Sequence, residues 1–203
     1  MAIAVTPTNV HWNYFLALEH DMELVSRYIE FCEPNFQVFS IELAHLLFAA
    51  ASEVDVVAKL LCKCVDPAAS CGNINHYKAV LVRAIPDLPH TEIFVPRYGL
   101  SFKPWLNWAD DTNPEWWGSY NSVKHNRDAH FKEATLKNAL NALGALLILT
   151  LHLYSRTLAM PPKNVLDPKD TMEQLKPRST LLRFHERFYY SPLLSVDRLS
   201  PLP

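Results

Sequence analysis

Glycine is scarce in this chain: four residues among 203, against fifteen prolines. Gly supplies most of the positive-φ turns in meandering β-proteins, so its scarcity speaks for long helices with few connections. Basic excess is missing too. The formal net charge of -2 sets up no global field to draw in phosphate, which excludes a strongly basic nucleic-acid binder. The most apolar stretch, 140–154, falls short of the ~20 residues a bilayer span needs. It also holds Asn141, Thr150 and His152, and so reads as a buried core helix. The first ten residues lack the basic segment and apolar run of a secretory leader. The four cysteines (Cys32, Cys62, Cys64 and Cys71) follow no disulfide-framework spacing. A reduced, cytoplasmic protein without membrane contact is the expectation. The chain has no Gly-rich phosphate loop, no G-x-S-x-G elbow and no H-E-x-x-H pair.

What is present is apolar content of 49%, enough for one folded domain. Phe15, Leu18, Met22, Val25 and Ile29 recur at three- and four-residue steps, predicting an amphipathic helix over 13–31 that Pro34 ends. A second helix is expected over 40–65. Its stripe is Leu47, Ala50, Val54, Val57, Leu61 and Cys64. A second apolar row (Ile41, Phe48, Val56, Leu60) marks it as central in a bundle. Asn73 caps a shorter helix through Ile85. Residues 86–112 switch to short β-like pieces, 92–95 and 100–102, around Pro96 and Gly99, predicting a small hairpin insertion. Asn113 as N-cap with Pro114 at the first helical position opens a helix through His125. After a break near 126–129, a long helix is expected over 130–158, with Leu136, Leu140, Leu143, Leu147 and Leu151 inward. Residues 1–160 thus read as an all-α, up-and-down helical bundle, and 161–203 as a Pro-rich C-terminal tail. The tail's one helix-like piece, 180–190, either packs back on the bundle or awaits a protein partner.

The densest unusual segment is 104–130. It holds four of the five tryptophans, then Tyr120, Asn121, Lys124, His125, Arg127 and His130. On a helix Trp116, Tyr120, Lys124 and Arg127 fall along one side, with Trp117 and Asn121 beside them. Aromatics with cations above them can hold a nucleotide by stacking and phosphate contact. The same tryptophans can instead fill the core where the insertion meets the bundle, with Lys124 and Arg127 paired to Glu42, Glu53 or Asp128. Cys62, Cys64, Cys71 and His76 form a series that invites zinc. Two helical residues apart, however, Cys62 and Cys64 diverge by ~200°, so buried small side chains are the better reading. The acidic loop Asp110-Asp111 is read as solvated rather than metal-ligating. No metal and no cofactor are expected.

The run 116–127, with its Tyr120-Asn121-x-x-Lys124-His125-x-Arg127 element, resembles a motif of bacterial HEPN-like helical-bundle proteins. Residues 131–140 and 52–62 look like long helices of the same group, and the resemblance spans 12–158. It implies a dimeric helical bundle from a superfamily rich in RNA-cleaving toxins and phage-defence components. It therefore implies a protein that engages RNA or a nucleotide, and a metal-independent endoribonuclease in the enzymatic case. Arg127, His130 and His125 would be catalytic there, and Trp117, Tyr120, Asn121 and Lys124 would bind the nucleotide. The nucleases carry Arg, four to six arbitrary residues, then His; here only two residues separate Arg127 from His130. The competing expectation is a non-catalytic interaction subunit in which the Lys/His/Arg cluster is a structural network.

Overall fold

The computed structural model describes residues 8–190. The first helix, α1 (Val10–Val25), buries Trp12, Phe15, Leu18, Met22 and Val25. It stops six residues short of the expected end. The Ser26 hydroxyl donates to the Glu23 carbonyl at 2.7 Å, and the amides of Arg27 and Tyr28 turn back three residues. Such local side-chain bonding competes with helix propagation. The released chain carries Phe31 into the core, against the ring of Tyr98 at 4.9 Å.

Next, α2 (Ile41–Val65) begins where expected, with the Ser40 hydroxyl accepting from the Leu43 amide at 3.1 Å. Its expected stripe is buried from Leu47 to Leu61 but not at Cys64, which is exposed, as are Ile41, Val56 and Leu60 of the second row. The third helix, α3 (Ile74–Ala84), is capped by Asn73. In the insertion, β1 (Ile93–Val95) pairs antiparallel with β2 (Leu100–Phe102), Phe94 opposite Ser101. Gly99, at φ 63°, makes the turn. The fourth helix, α4 (Glu115–His125), starts one residue later than expected, with Pro114 in the capping position. The Asn113 amide donates to Asn75 at 3.1 Å instead of capping.

The long final helix does not start at residue 130. A single turn, α5 (Arg127–His130), and a tight turn over 131–133 precede α6 (Leu136–Thr157), which Thr135 caps. The amides of Leu136 and Lys137 bond to the carbonyls of Val38 and Phe36, and these long-range bonds pull 131–135 off the helix axis. The dominant packing is α2 against α6, flanked by α1, α3 and α4. The fold is therefore mostly helical, with one small hairpin among the described residues. Gly144 on α6 meets the hairpin: a Cβ there would stand 2.7 Å from the Phe102 ring. By length and composition α6 could cross a membrane, but 78% of its most apolar window is buried inside the fold.

The tail, described as far as residue 190, packs back. Pro168 begins a short α7 (Pro168–Gln174), capped by Asp167. The expected helix over 180–190 is absent: Arg183 bridges to Phe94 in extended conformation, and 186–188 form one tight turn. Residues 191–203 of the expected tail lie outside the described residues. What replaces the helix is a buried carboxylate. Glu19 of α1 is 1% exposed. It accepts from the Ser179 hydroxyl (2.5 Å) and from the amides of Thr180 (3.0 Å), Leu181 (3.1 Å) and Leu182 (2.8 Å). Beside it, the Trp12 indole donates to the Pro177 carbonyl at 2.9 Å. With its amides satisfied by a side chain, the segment needs no helix to bury Leu181, Leu182 and Phe184.

Candidate functional site

The tryptophans of 104–130 build the joint between insertion and bundle. Trp105, Trp108, Trp116 and Trp117 are all buried, in a chain of edge and tilted contacts with ring centroids 4.1–5.7 Å apart. Two indoles are tied to backbone: Trp105 donates to Ala145 at 3.3 Å and Trp116 to Pro104 at 2.8 Å. These contacts set the position of α4, with Trp117 passing it on to Tyr120 at 5.4 Å. Trp117 is buried and offers little ring face to a ligand. Asn121 spends its amide on the Trp117 carbonyl at 3.0 Å.

One turn further along α4, the side chains reach solvent. Lys124 is exposed, its ammonium 5.3 Å from the Tyr120 ring centroid and 3.3 Å from that residue's hydroxyl. Arg127 is exposed as well, its guanidinium 5.2 Å over the ring of Phe48 from α2. Phe48 in turn meets Tyr120 edge-on at 6.1 Å. The result is two cations seated on two touching rings. Cation–π contact at exposed sites is worth about 0.5–1 kcal/mol, enough to bias rotamers without consuming the charge.

None of the carboxylates expected to neutralise them does so. Glu53 instead holds His11 at 2.5 Å, Glu42 faces His45 at 3.8 Å, and Asp128 is exposed. Among the described residues neither Lys124 nor Arg127 enters an ion pair. His125 is exposed at the end of α4. His130 is separately held: its Nδ1 lies 2.6 Å from Glu133.

Beside this cluster runs a groove of about 570 Å³, lined by Phe39, Ser119, Lys132, Glu133, Lys137 and Asn138 among others. Phe39 is half exposed and packs edge-on against Phe131 at 5.5 Å. Lys137 reaches Glu115 at 3.0 Å across the groove wall.

The cysteine series does not converge. Cys62 sits in the core, where burial and then neighbouring Cys71 push its thiol up to about 12, while Cys64 is exposed. Among the described residues no three His, Cys, Asp or Glu side chains gather as metal ligands. The acidic loop is engaged locally, Asp111 pairing with Lys78 at 2.7 Å.

Sequence reasoning did not place Phe48 or Glu133 at the site. Phe48 was visible as a member of the second apolar row of α2, and Glu133 as the i,i+3 neighbour of His130. A third cluster went unseen: His11 with Glu53, near the largely buried Tyr154, whose hydroxyl burial pushes upward. Compared with known proteins, the chain matches no family model, no curated sequence and no solved structure.

Proposed function

We propose that this chain is a HEPN-like helical protein whose α4–α5 face engages single-stranded RNA or a nucleotide, in a bacterial defence or toxin–antitoxin setting. The observation that carries the reading is the pair of exposed cations, Lys124 and Arg127, seated on aromatic rings and free of carboxylate partners among the described residues. Cations kept in place yet unneutralised suit phosphate oxygens, and Arg suits them bidentately. Since Trp117 is buried, stacking falls to the exposed ring of Phe39 in the neighbouring groove, with Lys132 at hand for a further phosphate.

In the catalytic form of this reading, Glu133 accepts the Nδ1 proton of His130. That tautomer leaves Nε2 as the base for a ribose 2′-hydroxyl. The 2′-oxygen then attacks phosphorus, Arg127 steadies the phosphorane charge, and His125 or water protonates the departing 5′-oxygen. The short Arg127–His130 spacing makes binding without cleavage the outcome to separate first.

The test is labelled single-stranded RNA at low salt with wild type, Lys124→Ala/Arg127→Ala and His130→Ala. Expected are salt-sensitive binding, its loss by about tenfold or more in the double variant, and cleavage, where present, abolished by His130→Ala with binding retained. Absence of binding by the wild type overturns the proposal. The second reading, a non-catalytic dimerisation or interaction subunit, is favoured by the exposed row Ile41, Val56 and Leu60. A groove of about 440 Å³ between α1 and α2 supports it too, with Tyr28 85% exposed at its edge. Analytical ultracentrifugation of wild type and Tyr28→Asp tests that surface, and since both readings allow a dimer, it is self-association without RNA binding that separates it from the first.

A further inference from the structure

A second cavity, of about 560 Å³, shares no lining residue with the α4–α5 face. Its floor is made by the hairpin and a bridging residue of the tail. Phe94 of β1 exchanges two backbone bonds with Arg183 of the tail (2.8 and 2.9 Å) and stands opposite Ser101 of β2 on its other side. Residues directly opposite across a ladder share one face of the sheet, so Arg183, Phe94 and Ser101 stand abreast. Ile93 and Val95 are buried toward the core, and alternation turns Phe94 outward. The walls are the 96–100 turn and the 184–189 segment. Gly99 leaves its side of the rim open, with no atom within 4 Å of where a Cβ would stand.

The charges in this cavity are unmatched. The Arg183 guanidinium lies 4.9 Å over the Tyr189 ring. Glu186 lines the same cavity, yet no ion pair joins it to Arg183 or to any other described residue. His185 meets Phe94 at an angle, ring centroids 6.3 Å apart, extending the aromatic floor. The fold therefore holds one cation and one anion apart over an aromatic surface. A purely anionic ligand would meet Glu186, and a purely cationic one would meet Arg183. An uncharged aromatic would leave both without a counter-charge. We infer that the cavity binds a small aromatic zwitterion, an aromatic α-amino acid being the simplest member. Its carboxylate lies on Arg183, its ammonium on Glu186 and its ring against Phe94 and His185.

The inference is tested by NMR titration of the full chain with L-phenylalanine, L-tyrosine and L-tryptophan, beside 3-phenylpropionate and phenethylamine, each lacking one of the two charges. Saturable shifts centred on Phe94, Ser101, Arg183 and His185 are expected for at least one of the amino acids. Losing either charge, in the ligand or through Arg183→Gln or Glu186→Gln, weakens binding by about tenfold, the worth of a charge-assisted bond. The mapping on wild type stands even where a variant folds poorly. No saturable shift below about 10 mM, shifts centred elsewhere, or equal binding of the single-charge analogues would overturn it.

Discussion

Replacing Glu19 tests whether a single carboxylate docks the tail. In Glu19→Ala the amides of Thr180, Leu181 and Leu182 lose their acceptor at once, while the Ser179 hydroxyl keeps the Leu182 carbonyl. A buried donor left unsatisfied costs about 1–3 kcal/mol. The chain escapes part of that by undocking, at the expense of exposing Leu181, Leu182 and Phe184. Burial of each is worth about 1.5–3 kcal/mol. Either route leads to a loss of about 3 kcal/mol or more, read as a fall in the urea midpoint. Glu19→Gln keeps one oxygen for Ser179, Leu181 and Leu182 but turns an NH₂ toward the Thr180 amide, so about 1–2 kcal/mol is expected. The control is Glu23→Ala. Glu23 accepts from the exposed Thr180 hydroxyl at 2.8 Å and faces the exposed His20 at 3.9 Å, and its loss costs under about 1 kcal/mol. Amide exchange localises the effect: the Thr180–Leu182 amides lose protection in Glu19→Ala while α2 and α6 keep theirs. A Glu19→Ala midpoint equal to that of Glu23→Ala, with those amides still protected, refutes the reasoning.

Gly144→Val drives a branched side chain into the Phe102 ring, 2.7 Å from where the first carbon would stand, and a loss of about 2–3 kcal/mol should appear in thermal melts. Thr135→Ala removes the cap of α6, whose hydroxyl accepts from Asn138 at 3.2 Å; about 1 kcal/mol is expected by denaturant titration. His152 supplies the pH dependence. Burial, then the nearby Arg156 charge, lowers its imidazole from 6.5 to about 4. The unfolded chain therefore binds the proton first, so this group's contribution is whole above pH 6.5 and is lost as pH falls toward 4. The total is about 3 kcal/mol. Between those limits, wild type should lose more stability than His152→Gln, and parallel pH curves would refute the assignment.

The elements that were legible in the sequence carry their own punctuation. Ser40 caps a long stripe, Asn73 caps a short one, and Gly99 among prolines makes the hairpin turn. The misplaced boundaries depend on partners far along the chain. Nothing near residue 135 announces that Leu136 and Lys137 bond to Val38 and Phe36. The apolar pattern of 180–190 resembles a helix because Leu181, Leu182, Phe184 and Phe188 are indeed buried, yet their backbone is satisfied by a carboxylate on α1. Conversely, α7 lies outside the one helix expected in the tail, although its start carries a local signal: Asp167 followed by Pro168 is a capping residue before a favoured first-turn proline.

At the candidate site, the cations and the Tyr120 seat of Lys124 were legible from helical spacing, but the seat of Arg127 was not, because Phe48 comes from α2. That placement fixes the salt dependence RNA binding should show. Residues 1–162 carry a formal charge of -4, so long-range attraction is unavailable and only local contacts contribute. Lys124 and Arg127 lack carboxylate partners, whereas Lys137 is engaged by Glu115. Two to three phosphates neutralised on a single strand give a slope of log K against log salt of about -1.4 to -2.1. Lys124→Ala should flatten the slope by about 0.7, as should Arg127→Ala, whereas Lys137→Ala should change it less. A slope near zero would mean that the cations do not meet phosphate. An unchanged slope in both single variants would move the contact off the α4–α5 face, even if wild-type binding were strong.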